Sequence, residues 1–460
     1  MIAVTSIPHD PALPTLPTAL DTAVVVQEFT RQLSENGRFH ISACQIDRIK
    51  YKPGQKCHLT YTFTIEDNET GSQIQQTYST IIYPAGHSES HYQKYLAKTK
   101  TAVSLGTPLL HLPALNMVAW AFPNDRKLHY LPHLMDAHYL RHHLLPPLIA
   151  AHLGPKWHIQ NLHLTPIHYV PEHTCIIRLD LQLRHQQTGQ YQPLSLYAKT
   201  YYNDDGAEAY QLMHALWQSP LRRNGWFHIP RPIGYHTDHR ILWQEGVAGY
   251  PLIDVPMSSP QFGRLMAIAG KTVAALHQTA VSCSRTITHN AWQQKLVQMR
   301  DMISAARPLL AELTTPLIDK LLAESDRLPP PPQATLHGDL HLKNFLVNGA
   351  CLTLIDLDSL HRGPAWFDLG SFVAGLLYRA LADGLSPETA VYATAPFLQA
   401  YTAHTPWETP LPILNWHIAT ALIIERAFRC ITRMKDGRLD LLDQLIPLSI
   451  QLYQMQRVAP

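Results

Sequence analysis

Several classes of protein are excluded by what the sequence lacks. It has no apolar run near the length of about 18 residues that a membrane span needs. Its start, MIAVTSIPHDPALPTLPTALD, has no basic stretch followed by an apolar one, so no secretory signal is expected. Neither a GxxxxGK[ST] Walker loop nor a GxSxG elbow occurs, which argues against P-loop kinases and hydrolases. The chain is predicted to be cytoplasmic, without a membrane span.

Charge imbalance and paired cysteines are also lacking. The formal net charge is only +2, so no nucleic acid is predicted as a partner. No cysteine belongs to a CxxC pair, and a chain of 460 residues can build its core without disulfides. Reduced thiols are therefore expected. The cysteines are Cys44, Cys57, Cys175, Cys283, Cys351 and Cys430.

The first half of the sequence contains a repeat. Residues 49–93 align with residues 167–211 at a constant offset of 118. Both copies show an alternating apolar strand, a proline-containing turn, two further strands and then a helix that starts near Tyr92 or Tyr210. This pattern predicts an α+β unit that is present twice. About three identities are expected by chance, and nine are found: Ile49, Tyr51, Pro53, Cys57, Thr70, Gly71, Tyr83, Tyr92 and Gln93.

The two copies differ in their charged residues. The second copy has Lys199 on its third predicted strand and Glu208 at the start of its helix. The first copy has Ile81 and Ser90 at the corresponding positions. Only the second copy therefore offers a candidate ion pair.

After about residue 260 the sequence becomes helical in pattern. FGRLMAIAGKTVAALHQ and the segments near 295–327 and 366–383 place apolar residues at helical spacing. The run RLPPPP, which ends at Pro332, interrupts these helices and leads into a short strand. The last 60 residues again predict helices.

The strongest chemical signal is the segment TLHGDLHLKNFLVNGACLTLIDLDS. Asp339 lies in a loop that follows a short strand, and Asn344 comes five residues later. FLV and ACLTLID predict two strands joined at Asn348-Gly349, a strong hairpin signal. Because a hairpin returns the chain, Asp356 is expected beside that loop.

These residues suit a metal ion and a phosphate. Mg²⁺ prefers oxygen ligands and often takes only one or two from the protein. Asn344 and Asp356 can supply them, and Asp358 would point the same way as Asp356 if the strand continues. Asp339 is then left to accept a proton from an attacking hydroxyl.

Three short segments carry a resemblance to a known family. HGDLHLKN resembles the HGDxHxxN catalytic loop of the aminoglycoside phosphotransferase and choline kinase-like family. IDLD resembles the segment that replaces DFG in those enzymes, and GPAWFDLG resembles their GxPxxDL element. The likeness covers about residues 155–380. It implies a catalytic set of Asp339, His337, Asn344 and Asp368, in which Asp368 supports the catalytic loop.

The resemblance also implies nucleotide-binding residues. LYAKTYY resembles the strand whose lysine holds the α- and β-phosphates of ATP, which implicates Lys199. GAEAYQLMHAL resembles the helix whose glutamate pairs with that lysine, which implicates Glu208. ILWQEGVAGYPLID resembles the hinge that binds adenine, which implicates Gln244, Glu245 and Val247.

The sequence departs from the family pattern at two points. The turn at residues 171–174 has no glycine, so no Gly-rich phosphate loop is visible. Lys343 stands where the family often has glycine. The resemblance therefore does not extend to a Gly-rich loop.

Together these features predict an α+β, bilobal protein kinase-like fold. It has an antiparallel-sheet small lobe, a mainly helical large lobe and an extra N-terminal α+β module that resembles a second small lobe. The predicted parts are a Pro-containing segment at 1–38, the degenerate repeat at 39–150, the nucleotide-binding small lobe at 151–250, and the large lobe with the catalytic loop and acceptor site at 251–460.

The predicted function is transfer of the γ-phosphoryl group of ATP, with Mg²⁺, to a hydroxyl of a small molecule such as a sugar or amino alcohol. Two alternatives stay open at this point. One is a catalytically inactive kinase-fold protein with a binding or regulatory role, and the other is a kinase-fold enzyme that transfers AMP. A protein partner could dock on the N-terminal repeat.

The acceptor site is predicted near the C-terminus. In ALIIERAFRCITRMKDGR, the spacing of three and four places Arg426, Arg429 and Arg433 on one helical face. Arginines bind carboxylates and phosphates through paired hydrogen bonds, which favours a neutral or anionic acceptor over a cationic antibiotic. A solvated basic face is the alternative. Aromatic rings that could stack on a sugar lie nearby in sequence: Trp407, Trp416 and His417.

Overall fold

The computed structural model describes residues 9–33, 38–99, 101–103, 107–435 and 437–455. Antiparallel sheets come first and helices dominate afterwards, so the predicted α+β class is confirmed. In the described ranges, no helix combines the length and apolar character needed to cross a bilayer.

The strands are β1 Phe39–Lys52, β2 Lys56–Asp67, β3 Gln73–Ile82, β4 Leu109–Leu112, β5 Met117–Ala121, β6 Trp157–Val170, β7 Thr174–His185, β8 Tyr191–Tyr201, β9 Pro232–His236, β10 Ile241–Glu245, β11 Tyr250–Pro251, β12 Gln333–Leu336, β13 Phe345–Asn348, β14 Cys351–Leu354 and β15 His361–Pro364. The helices are α1 Leu16–Leu20, α2 Thr22–Leu33, α3 Ser88–Leu96, α4 Leu131–Met135, α5 Ala137–Tyr139, α6 Leu145–Leu153, α7 Asp205–Gln218, α8 Pro220–Arg223, α9 Pro260–Gln278, α10 His289–Ala306, α11 Ala311–Ser325, α12 Ala365–Ala382, α13 Pro387–Ala403, α14 Leu411–Ala421, α15 Phe428–Arg433 and α16 Leu442–Met455.

The chain divides into two compact units. The first contains the first copy of the repeat and the long strands of the second copy, and the second unit contains the catalytic segment and most of the helices. The first unit comprises Met1–Asp204, His236–Trp243 and Thr432–Leu439, and the second comprises Asp205–Tyr235, Gln244–Ile431 and Asp440–Pro460.

The first repeat forms a five-stranded antiparallel sheet in the order β1-β2-β3-β5-β4. Helix α2 covers one face of it through Phe29, whose ring lies 4.5 Å from that of Phe63 and 5.1 Å from that of Tyr78. The hydroxyl of Tyr61 donates to the Ala19 carbonyl at 2.6 Å, which satisfies a buried polar group. Aromatic packing therefore holds the N-terminal helices against the sheet.

The second repeat forms another five-stranded sheet with the same strand order, β6-β7-β8-β10-β9. The long first hairpin has the same irregularity in both copies: the register shifts between Ile41 and Ala43 in the first copy and between Ile159 and Asn161 in the second. These positions differ by the sequence offset of 118. The predicted duplication is therefore present in the backbone as well.

An aspartate fixes the first hairpin turn of the first copy. The Asp10 Oδ2 atom accepts hydrogen bonds from the Tyr51 hydroxyl at 2.9 Å and from the Gly54 amide at 2.8 Å. Gly54 has a φ of 67°, a left-handed conformation that glycine adopts without steric cost.

The second copy has the same device. The Asp125 Oδ2 atom accepts hydrogen bonds from the Tyr169 hydroxyl at 2.6 Å and from the Glu172 amide at 3.0 Å. Glu172, with a φ of 63°, takes the place of Gly54, although its side chain makes this conformation less favourable. An ion pair with Arg126, Nη2 to Oε2 at 2.7 Å, stabilises Glu172 there.

The repeat thus extends further towards the N-terminus than the aligned strands. Asp21 accepts the amide of Ala23 at 2.9 Å ahead of α2, and Asp136 accepts the amide of His138 at 2.9 Å as the N-cap of α5. Both aspartates follow a short helix with a proline at its start. Each copy therefore includes a helical segment before its first strand.

The second unit brings helices close to one another. At Gly270 in α9, a Cβ atom would lie 2.2 Å from the carbonyl oxygen of Phe397 in α13, so only glycine permits this approach. The ring of Trp292 in α10 stacks on that of Phe367 in α12 with centroids 4.0 Å apart. These contacts build the core beneath the catalytic segment.

Most local predictions for this unit are confirmed. Strands β13 and β14 form the predicted hairpin, with Asn348 opposite Cys351. The run RLPPPP is followed by β12, as expected.

The helices of the repeats start earlier than predicted, at Ser88 rather than near Tyr92 and at Asp205 rather than near Tyr210.

Candidate active site

Asp368 holds the start of the catalytic loop. It lies in the first turn of α12, and its side chain is only 3 % exposed. Its Oδ2 atom accepts the amide of His337 at 2.6 Å, and its Oδ1 atom accepts the amide of Gly338 at 3.0 Å. Two consecutive backbone amides are thereby fixed by one carboxylate, as the predicted supporting role requires.

A buried chain of polar groups stands behind Asp368. His277 Nε2 lies 3.2 Å from Asp368 Oδ2, and His277 Nδ1 lies 2.9 Å from the Tyr401 hydroxyl. The Trp407 indole donates to that hydroxyl at 3.1 Å. Burial raises the pKa of Asp368, but His277 and His337 lower it by more, so its pKa lies below the ordinary value. His277 was not predicted from the sequence, although a histidine within the apolar run TVAALHQ needs a buried partner.

The loop can take this shape only because residue 338 is glycine. Gly338 has a φ of 81°, and a Cβ atom there would lie 2.3 Å from the carbonyl oxygen of Ser359. The His337 imidazole bonds the Ile355 carbonyl at 3.0 Å and so ties the loop to the end of the β13–β14 hairpin. The residue types at His337 and Gly338 are therefore needed for the conformation of the loop that presents Asp339.

Asp339 follows directly and presents its carboxylate to solvent. Its side chain is 45 % exposed, with His341 Nε2 3.5 Å from Oδ2 and Arg429 Nη2 3.5 Å from Oδ1. Partial burial raises the pKa of Asp339, but His341, Arg429 and His337 together lower it well below its usual value. The carboxylate is consequently ionised at neutral pH.

Asn344 and Asp356 are brought together as predicted. The Asn344 side chain is buried, and its Nδ2 atom donates to the Asp339 carbonyl at 2.9 Å, so the amide nitrogen is committed. The Ile355 amide donates to the Asn344 carbonyl at 2.9 Å, which aligns the residue before Asp356 with the loop. An amide oxygen and a carboxylate are hard donors that fit Mg²⁺, with phosphate and water as its other ligands.

The prediction that a continuing strand points Asp358 the same way as Asp356 was wrong. β14 ends at Leu354, Asp356 has a left-handed φ of 61°, and residues Leu357–Ser359 form a 3₁₀ turn. The strand does not continue, so alternation does not place Asp358 beside Asp356. Asp358 as a metal ligand stays a prediction.

The residues predicted to hold phosphates lie in different units. Lys199 is on β8 in the first unit, 8 % exposed and paired across the sheet with Ile176. Glu208 is in α7 in the second unit, where its Oε1 atom accepts hydrogen bonds from the amide of Ser284 at 3.1 Å and from its hydroxyl. The pairing of Lys199 with Glu208 stays a prediction.

The predicted hinge includes strand β10, which contains Gln244 and Glu245, and the loop that follows it. The Glu245 amide donates to the Arg231 carbonyl at 2.9 Å, so that N–H is committed within the protein. Gln244 Nε2 lies 3.5 Å from the sulfur of Met213 in α7, and Val247 is half-buried in the loop that follows. Their role in binding adenine stays a prediction.

The three predicted acceptor arginines have different surroundings. Arg426 is buried and donates to the Ser371 carbonyl at 2.8 Å, whereas Arg429 is largely exposed beside Asp339. Arg433 belongs to the first unit. A π-helical turn at Leu422–Ala427 changes the side-chain spacing within this helix. Arg429 alone is therefore next to the proposed catalytic aspartate.

Two of the three aromatic rings expected to stack on a sugar are not accessible. Trp416 and His417 are fully buried, and the Trp416 indole donates to the Leu321 carbonyl at 3.1 Å. Trp407 donates to Tyr401 in the polar chain behind Asp368. The expectation for Trp416 and His417 was therefore wrong, because an apolar helix face and an aromatic ligand site look alike in sequence.

One model of a known protein family matches part of the chain. Residues 194–407 match the model of the phosphotransferase enzyme family, APH. This segment, which is less than half of the chain, is similar to the APH phosphotransferase family. It begins within β8 and includes Lys199, the predicted hinge, the catalytic loop and Asp368. The match does not cover the first copy of the repeat. No curated protein matches the sequence.

Solved structures of APH phosphotransferases match the chain at low sequence identity. Spectinomycin phosphotransferase APH(9)-Ia, in complex with ADP and spectinomycin, is 16 % identical, with a TM-score of 0.42 over 69 % of this chain and 94 % of that one. A thermostable mutant of aminoglycoside phosphotransferase APH(4)-Ia is 11 % identical, with a TM-score of 0.44 over 68 % and 100 %. Amicoumacin kinase hAmiN, with AMP-PNP and Ca²⁺, is 13 % identical, with a TM-score of 0.42 over 63 % and 88 %.

Proposed function

We propose that the chain is an ATP-dependent phosphotransferase that moves the γ-phosphoryl group to a hydroxyl of a small molecule. The observation that carries this proposal is the catalytic loop within the APH segment. Asp368 fixes two consecutive amides of the loop, and the next residue, Asp339, presents an ionised carboxylate. Such a rigid support suits an enzyme that must hold an acceptor in line with a phosphate.

Each residue of the site has a distinct proposed role. Asp339 accepts the hydrogen bond of the acceptor hydroxyl and then its proton. Because the pKa of Asp339 is low, its first contribution is orientation of that hydroxyl. Asn344 and Asp356 would hold Mg²⁺, and Lys199 would neutralise charge on the nucleotide phosphates. Bound ATP and Mg²⁺ supply the transferable group and screen its charge.

The test is a screen for nucleotide products with the purified full-length protein, ATP and Mg²⁺ against a panel of hydroxylated metabolites. Release of ADP that depends on one acceptor class is expected. Release of pyrophosphate together with an adenylylated acceptor would identify an AMP-transferring enzyme instead. Binding of ATP without any product over the whole panel would support the binding or regulatory alternative.

The two copies offer a matched pair of substitutions at equivalent positions. Lys199→Ala is expected to lower kcat/KM for ATP about 10–100-fold, because a hydrogen bond to a charged group contributes about 1.5–3 kcal/mol. Ile81→Ala should leave kcat/KM unchanged and lower the free energy of unfolding by about 2–5 kcal/mol, since Ile81 is 1 % exposed. Steady-state kinetics and denaturant unfolding measure the two effects. Photocrosslinking of an azido-ATP to the first copy would contradict the assignment.

Arg429 is proposed to bind an anionic or polar group of the acceptor. Its guanidinium lies 3.5 Å from Asp339 Oδ1, where a group attached to the reacting hydroxyl would come within reach. Arg429→Ala should raise the acceptor KM about tenfold or more and leave the ATP KM nearly unchanged. Arg379→Ala is a matched control, because Arg379 also lies beside a partly exposed aspartate, Asp383, at 3.4 Å. Efficient phosphorylation of kanamycin-like polycations would contradict this role.

A further inference from the structure

The first unit contains a cavity whose walls are strongly basic. It has a volume of about 240 Å³ and lies between the outer face of β1 and β2 and the first hairpin turn of the second copy. This volume is just below the range of about 300–1,000 Å³ typical of sites for drug-sized ligands, so it suits a small occupant. Its charged lining consists of Arg48, Lys50, Lys52, Lys56, Lys127 and Glu172.

The positive charge of this cavity is not balanced by its own walls. Among the described residues that line it, Glu172 is the one carboxylate, and Glu172 is already paired with Arg126. In the described part of the chain, no carboxylate lies within ion-pair distance of Lys50, Lys52 or Lys56. Four lysines and one arginine therefore line this space, together with a single carboxylate that is already paired with Arg126.

Without a bound anion, this concentration of positive charge disfavours the protonated form of the lysines. Partial burial lowers the pKa of Lys50, and Arg433, Lys52 and Arg48 lower it further. Burial likewise lowers the pKa of Lys56; Glu172 raises it in part, and Arg126, Lys52 and Lys127 lower it further. An anion in the cavity would relieve both the repulsion and the loss of hydration.

Strand register relates this cavity to the second copy. Within the first sheet, Lys50 on β1 lies opposite His58 on β2, and His58 lies opposite Ile81 on β3. Neighbouring side chains paired in this way share one face of a sheet. The lysine that lines the cavity is therefore on the same face as Ile81.

The corresponding face of the second copy carries Lys199. There His168 on β6 lies opposite Ile176 on β7, and Ile176 lies opposite Lys199 on β8. All three positions differ from those of the first copy by the repeat offset of 118. The first copy has thus lost the lysine of its third strand but has lysines on its first two strands that face the same way.

We propose that this cavity of the first copy binds a small anion that carries two linked phosphate groups. Lysine ammonium groups on two adjacent strands can contact several phosphate oxygens at once, as point charges. Thr60 adds a hydroxyl at the cavity wall, and the turn that contains Glu172 closes it. The site is separate from the residues proposed for catalysis and does not depend on the proposed function.

The test is calorimetric titration of the full-length protein with inorganic pyrophosphate, in the absence of ATP and Mg²⁺. The variant Lys50→Gln/Lys56→Gln should bind pyrophosphate about 10–100-fold more weakly than the wild type. Lys94→Gln/Lys98→Gln removes two exposed lysines of the same unit and should leave the affinity unchanged. Lys199→Ala tests whether pyrophosphate occupies the proposed nucleotide site instead of the cavity.

Three results would overturn the proposal. They are absence of binding by the wild type, equal weakening in both double variants, and a loss that occurs with Lys199→Ala instead. A thermal unfolding scan checks that the double variants are folded. If Lys50→Gln/Lys56→Gln does not fold, Lys127→Gln tests the opposite wall, and an unchanged affinity in that variant counts against the site.

Discussion

Asp339→Asn is expected to lower kcat about 10²–10⁴-fold, the usual contribution of general-base catalysis, while the fold is retained. The substitution is nearly isosteric, and the Asp339 side chain is 45 % exposed, with its charged partners at 3.5 Å. The amide can no longer accept the proton of the acceptor hydroxyl. The measurement is the rate of ADP release with the acceptor identified by the screen.

Asp383→Asn provides a control for the charge change alone. Asp383 is 48 % exposed and lies 3.4 Å from Arg379, so its surroundings resemble those of Asp339. It should have nearly normal activity. Near-normal turnover by Asp339→Asn would remove the central residue of the proposed mechanism.

Asp368→Ala is expected to lower the free energy of unfolding by about 3–5 kcal/mol, because each buried donor left without an acceptor costs about 1–3 kcal/mol. The amides of His337 and Gly338 and the imidazole of His277 would lose their common acceptor. Activity should fall as well, because the catalytic loop would no longer be held. Thermal or denaturant unfolding of the full-length protein measures the change.

Two further substitutions distinguish loss of the support for the catalytic loop from a general loss of stability. Asp383→Ala should cost at most about 1 kcal/mol, as for other exposed ion pairs. Asp368→Asn keeps the shape but replaces one accepting oxygen with a donor that faces a backbone amide, so it should be impaired nearly as much as Asp368→Ala. A stable and active Asp368→Asn variant would show that the carboxylate charge is dispensable.

The catalytic segment could be predicted because its information is local. Asp339, Asn344 and Asp356 lie within 18 residues of one another, and the hairpin between them has a strong turn signal. The groups behind them could not be predicted in the same way. His277 and Asp368 are 91 residues apart, and Arg429 meets Asp339 only through the packing of α15. Such contacts depend on helix packing that the sequence pattern does not specify.

The repeat was only partly visible for a related reason. The aligned strands share one offset of 118, whereas Asp10 and Asp125, which hold the two turns, are 115 residues apart. A change in loop length between them hides the correspondence from an alignment without gaps. Asp358 shows a different limit, because the left-handed conformation at Asp356 ends the strand and depends on its surroundings.

The hydrogen bonds of Asp125 have a practical consequence for shortened versions of the protein. A fragment that starts at residue 151, the predicted start of the nucleotide-binding small lobe, would lack both Asp125 and Arg126. The Tyr169 hydroxyl and the Glu172 amide would lose their acceptor, and the Glu172 carboxylate would lose its cation. The left-handed conformation of Glu172 would then lose the hydrogen bond and the ion pair that stabilise it. A fragment that contains the second sheet and the catalytic unit should therefore begin upstream of Asp125, so that it includes Asp125 and Arg126.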